Sequence, residues 1–81
     1  MSGVVVRVWS RENCLLCDEL LEALVPLLAR HGLVPAVQDI DSDPVARRRY
    51  GLKVPVVEVD GELACYGHLD PVAVEELLQR G

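Results

Sequence analysis

The sequence predicts a single α/β domain: a mixed four-stranded sheet with helices on both faces, in the order β-α-β-α-β-β-α. Three observations carry that reading. A β-branched run, Val4 to Trp9, gives way directly to a leucine pattern at helical spacing. An Asp60-Gly61 step separates two strand-like segments, the strongest short hairpin signal a sequence offers. Two Asp-Pro steps, Asp43-Pro44 and Asp70-Pro71, each supply a helix cap followed by proline at the first helical position.

The elements follow in order. Val4 to Trp9 (VVVRVW) reads as a buried strand, and Ser10 to Asn13 as the loop after it. From Leu15 to about Arg30, Leu16, Leu20, Leu24, Leu27 and Leu28 recur at helical spacing, with Asp18, Glu19 and Glu22 off the stripe. Pro26 inside this pattern predicts a kink or an early end, and His31-Gly32 the stop. Leu33 to Ile40 is the second strand, with Pro35 near its start. A short helix opens at Asp43-Pro44 and ends near Tyr50-Gly51. Val54 to Asp60 and Glu62 to Tyr66 form the hairpin. The last helix sets Val74, Leu77 and Leu78 on one face, opposite Glu75, Glu76 and Arg80. A helix joins the first two strands, so they are expected to be parallel, with a right-handed crossover.

Composition narrows the function. Eighty-one residues make one domain, 1–81, and 51% hydrophobic content excludes a disordered chain. Thirteen acidic against eight basic residues leave a net charge of −5, which disfavours nucleic acid and anionic membranes as partners. Trp9, Tyr50 and Tyr66 are too few aromatics for a stacking platform on single strands. Arg47, Arg48 and Arg49 form a basic run on the short helix, where it reads as a solvated face. The apolar stretch within Met1 to Trp9 is too short for a signal peptide or a membrane span, so a cytoplasmic location is expected. A monomer is the expected state.

Cys14 and Cys17 enclose Leu15-Leu16 where the first strand hands over to the first helix. Cys14 falls at the cap, where unpaired N–H groups and the helix dipole favour a thiolate, which is the nucleophilic form. Cys17 lies one turn deeper on the same face and suits a resolving role. Attack by Cys14 on a disulfide gives a mixed disulfide, and Cys17 then displaces the product. Arg11 is a candidate to steady the thiolate; Glu12, Asp18 and Glu19 work against it. Pro55 opens a core strand, which fits either a trans proline at a strand start or a cis bond in a tight turn.

Together the strand, the C-x-x-C at a helix N-terminus, the Val54-Pro55 step and the Gly67-to-Asp70 turn into the last helix resemble glutaredoxins. They look more closely like the short glutaredoxin-like bacterial proteins, over nearly the whole chain. The resemblance implies a thioredoxin-like core and thiol–disulfide oxidoreductase activity, with Cys14 as nucleophile, Cys17 as resolving thiol and Pro55 in cis beside them. It also implies that the Val54 backbone pairs with a thiol peptide such as glutathione, a co-substrate rather than a bound cofactor. Gly67 and Asp70 match positions that grip the glutamyl end. The chain departs from that pattern in two places: Tyr66 replaces a glycine, and Leu15-Leu16 stand where proline and tyrosine are common. Both departures weigh on glutathione as partner, leaving a disulfide-bearing protein beside it.

Two other classes compete. Cys65 and His68 form a C-x-x-H pair that, with Cys14 and Cys17, would complete a Cys3His zinc set. A nearly complete domain separates the two pairs, which favours redox chemistry with no metal. A non-catalytic protein-binding scaffold is the third class. Cys65 reads as a packed strand residue, Trp9 as core, and His31 and His68 as helix-end and loop residues.

Overall fold

In the computed structural model, which describes residues 3–80, four strands form one sheet in the order β2-β1-β3-β4. Met1, Ser2 and Gly81, the ends of the expected 1–81 domain, lie outside the described residues. The strands are β1 (Val6–Ser10), β2 (Ala36–Asp39), β3 (Val56–Val59) and β4 (Glu62–Tyr66), and the helices α1 (Leu15–Ala29), α2 (Pro44–Tyr50) and α3 (Pro71–Arg80). A short 3-10 turn, Ile40–Ser42, sits between β2 and α2. β1 pairs parallel with β2 and antiparallel with β3, and β3 pairs antiparallel with β4. The predicted architecture is the observed one.

Period-2 alternation divides the sheet between two cores. Val6 and Val8 of β1, with Val57 and Val59 of β3, face Leu20, Leu24, Leu27 and Leu28 of α1 and Val74 and Leu78 of α3. The opposite face sets Trp9 and Val56 against Ile40, Ala46 and Tyr50. Fully burying one such aliphatic side chain contributes about 1.5–3 kcal/mol, so the first, larger cluster carries most of the hydrophobic stabilisation.

Local chemistry explains the element ends. Asp43 caps α2, its Oδ1 accepting from the N–H groups of Val45 (3.0 Å) and Ala46 (3.1 Å), with Pro44 at the first helical position. Asp70 Oδ1 accepts from Ala73 N–H (3.1 Å) and caps α3 in the same way. Asp60 and Gly61 both have positive φ, 51° and 82°, as a two-residue hairpin turn of type I′ requires.

Several boundaries differ from the expectations. The first helix does not end early at Pro26: it runs on to Ala29. Pro26 is exposed, and Leu27 and Leu28 beyond it are buried against the sheet, so their packing offsets the roughly 3 kcal/mol that proline costs inside a helix. Leu16, placed on the buried stripe, is exposed, and Cys17 takes its place. The second strand is not Leu33–Ile40 but Ala36–Asp39, with all its residues exposed, because it is a sheet edge covered on neither face; Ile40 reaches the core from the turn that follows. β1 begins at Val6, since Val5 N–H bonds the Asp60 carboxylate (2.9 Å) at the hairpin tip. Val54 and Pro55 precede β3, where a residue without an N–H leaves the ladder.

Candidate functional site

The parallel β1–β2 pair and the antiparallel β1–β3–β4 meander bring four segments to one end of the sheet: the loop after β1, the turn after β2, the segment before β3 and the turn after β4. The cysteine pair stands at that end. Asn13, at φ 57°, swings the chain out of β1, and Cys14 takes extended dihedrals (φ −113°, ψ 103°) as the N-cap of α1. Its sulfur accepts the N–H of Cys17 at 3.2 Å, and its carbonyl accepts the N–H of Asp18 at 3.1 Å, the first bond of the helix. The two sulfurs are joined in a disulfide, with Cα atoms 5.2 Å apart, inside the ordinary range. Cys17 is buried and Cys14 is partly exposed, so only the outer sulfur presents itself to an incoming group.

Arg11, just ahead of the pair, is bonded to two other segments. Its guanidinium holds Asp41 through two bonds, Nε to Oδ2 at 3.1 Å and Nη2 to Oδ1 at 3.3 Å, and donates Nη1–H to the Gly51 carbonyl at 3.1 Å. That pairing raises the arginine and, through the same hydrogen bond, holds the Asp41 carboxyl below the usual carboxylate range. Arg11 thus ties the loop ahead of Cys14 to the end of α2. Asp41 was not singled out from sequence; the only signal was an acidic residue just after an edge strand.

The expected binding residues are placed as follows. The Val54–Pro55 peptide bond is cis, and Pro55 is buried just ahead of β3. Its carbonyl accepts the Gly67 N–H at 2.8 Å; Gly67 has φ 78°, so glycine suits the turn. Asp70 caps α3. The Gly67 amide and one carboxylate oxygen of Asp70 are therefore engaged within the fold. Tyr66 is exposed, with the Lys53 ammonium 5.3 Å from its ring centroid, and Leu52 is fully exposed beside it in the chain.

The remaining candidates separate from the pair. Cys65 lies on β4 opposite Val57, half-buried against the α1–α3 core; burial pushes its thiol up, while a backbone bond from Asp70 acts in the other direction. His68 sits in the turn after β4, and His31, just past the end of α1, pairs with Glu75 in the middle of α3. Among the described residues no group of three or more His, Cys, Asp or Glu side chains is gathered to hold a metal ion, so the Cys3His set is not assembled. Trp9 packs in the α2-side core, its Nε1–H donating to Glu58. Among the described residues, no helix is long and apolar enough to cross a membrane.

Comparison with known proteins agrees with this geometry. No curated protein sequence matches the chain. Among solved structures, protein Ne2328 from Nitrosomonas europaea is 26% identical, with a TM-score of 0.83 over 94% of this chain and 92% of its own. Protein XcR50 from X. campestris is 27% identical, with a TM-score of 0.71 over 95% and 99%. Glutaredoxin C1 from Populus tremula x tremuloides, at 21% identity and a TM-score of 0.50 over 94% and 75%, shares the fold. The family model described as Glutaredoxin-like domain (DUF836) matches residues 5–79, and the chain, carrying its disulfide at the head of α1, belongs to that family.

Proposed function

We propose that the protein is a dithiol–disulfide oxidoreductase working through Cys14 and Cys17. One observation carries the proposal: the outer sulfur caps a helix, accepting a backbone N–H, and is bonded to a buried partner one turn deeper. In the reduced form the same N–H and the positive end of α1 stabilise Cys14 as a thiolate. That thiolate attacks one sulfur of a substrate disulfide; a mixed disulfide forms and the other substrate sulfur leaves as a thiolate. Cys17 gives up its proton and attacks Cys14, which releases the second substrate thiolate and restores Cys14–Cys17. Two electrons pass from the dithiol to the substrate, and a thiol donor, small or carried on a protein, returns the pair to its reduced form. A cytoplasmic setting, with its reducing pool, fits this direction.

The test is a pair of variants. Cys14→Ser abolishes reduction of a small disulfide, and Cys17→Ser accumulates a mixed disulfide visible by mass. Equal residual turnover in both, or a Cys14 thiol no more reactive than Cys65, overturns the proposal and leaves a scaffold.

A further inference from the structure

Resting on that dithiol chemistry, we infer that the substrate is a disulfide set in an apolar, basic stretch of a protein, and not glutathione disulfide. Leu15 and Leu16, between the bonded cysteines, are 72% and 40% exposed. Leu52 is fully exposed, and its loop is drawn to the segment ahead of Cys14 by the bond between Arg11 and the Gly51 carbonyl. Tyr66 is half-exposed, and its turn is held to Pro55 by the Gly67 amide. Single exposed leucines are ordinary, but apolar side chains exposed on three segments that the sheet brings to the same end as one reactive bond mark a docking surface.

Glu12, Asp18 and Glu19 are exposed on the loop and first turn beside the disulfide. Arg11 is paired with Asp41, Lys53 lies over the Tyr66 ring and keeps its charge, and Arg47, Arg48 and Arg49 are exposed farther back, on the last turn of α2. A partner with lysine or arginine beside its cysteine meets this acidic surround, whereas glutathione disulfide, with four carboxylates against two ammonium groups, brings net negative charge to it. The Gly67 N–H is taken by Pro55, and one Asp70 oxygen by the α3 cap. Those groups are therefore not offered to a small peptide.

The test compares the reduced full chain against four oxidants: hydroxyethyl disulfide, glutathione disulfide, and two peptide disulfides of equal length, one flanked by Leu and Lys, the other by Ser and Glu. Each rate constant is divided by that of dithiothreitol with the same oxidant, which removes intrinsic reactivity. The Leu/Lys peptide is expected to react about tenfold faster than the Ser/Glu peptide or glutathione disulfide, since burying part of one leucine is worth that factor. Raising salt from about 0.05 to about 0.5 M should narrow the gap by screening its charge component. Leu52→Ser should narrow it further while exchange with hydroxyethyl disulfide stays unchanged. Equal rates for the three peptide-based oxidants, or fastest reaction with glutathione disulfide, overturn the inference. Failure with hydroxyethyl disulfide instead overturns the dithiol chemistry beneath it.

Discussion

Tyr50→Phe removes one hydroxyl and exposes how the α2 side of the sheet is held. Glu58 is only 5% exposed, and its two carboxylate oxygens have separate donors: Trp9 Nε1–H at 3.2 Å and Tyr50 O–H at 2.7 Å. Among the ion pairs of the described residues none joins Glu58 to a cation, so those two bonds replace its water. Without the hydroxyl, one oxygen stays buried with no donor from Tyr50. Hydrogen bonds to charged groups are worth about 1.5–3 kcal/mol, which sets the expected loss. A domain this size has about 4–12 kcal/mol in all, so the variant gives up a large share. A 2 kcal/mol loss lowers Tm by about 8–16 °C. Urea unfolding followed by Trp9 fluorescence and far-UV circular dichroism measures it, with an unchanged slope confirming that the folded state is the one affected. A second reading comes from pH. Burial first, then Glu58, raises the Tyr50 hydroxyl above its ordinary value near 10. The unfolded tyrosine therefore ionises first; the contribution is whole below about pH 10 and is lost as pH rises from there towards the folded value. Tyr50→Phe should flatten that alkaline limb. A loss below about 0.5 kcal/mol, within the range of neutral surface changes, would refute the argument that Glu58 depends on these two donors.

Three further outcomes are expected. Leu24→Ala, at a fully buried position between α1 and the sheet, should cost about 2–5 kcal/mol in urea unfolding; under 1 kcal/mol would mean the site collapses without a cavity. Cys65, its thiol raised chiefly by burial, should alkylate at pH 8 more slowly in the native protein than in urea, and equal rates would contradict its packing; its contribution to stability is present below the unfolded value near 8.5 and declines as pH rises towards the folded one. Asp41→Asn should soften the acid limb of stability: the Arg11 bond lowers the folded carboxyl, so wild type keeps the contribution above about pH 4 and loses it as pH falls through the folded value, and superimposable acid limbs would argue against the pair.

The order of elements, both Asp-Pro caps, the hairpin turn and the place of the cysteine pair were legible because each rests on chemistry within a few residues. Asp43 needs only the N–H groups of Val45 and Ala46, and Asp60-Gly61 needs only its own dihedrals. What sequence missed is non-local. Pro26 forecasts a kink or an early end by propensity, and the leucine spacing marks Leu27 and Leu28 for burial; how far that burial outweighs the proline is set by the sheet they pack against. Arg11 is adjacent to the cysteines in sequence, yet its partners, Asp41 and Gly51, come from two other segments that only the sheet topology delivers. Gly67 and Asp70 stand at the turn into α3, where the Gly67 amide bonds the Pro55 carbonyl and one Asp70 oxygen caps the helix, contacts that only the folded sheet reveals. The exposed Leu52, in a loop with no periodic pattern around it, carried no signal until its surroundings were known.

The three helices also differ in one respect that links fold to chemistry. α2 and α3 begin under carboxylate oxygens, the caps that best satisfy a helix N-terminus. α1, the longest and the one most deeply packed against the sheet, begins under a sulfur. Sulfur is a weaker acceptor than a carboxylate, and an effective cap is worth about 0.5–2 kcal/mol, so α1 starts with less local support than its length calls for. The leucines behind it supply the difference through burial, which leaves the capping position open to a group chosen for reactivity. In the oxidised protein that group is a neutral sulfur; under the proposed dithiol chemistry the reduced sulfur is an anion at the same N–H and gains from the dipole. Helix stability and thiolate stability then rise together on reduction. A sulfur so placed needs no cationic side chain beside it, which is consistent with Arg11 being free to brace the loop instead.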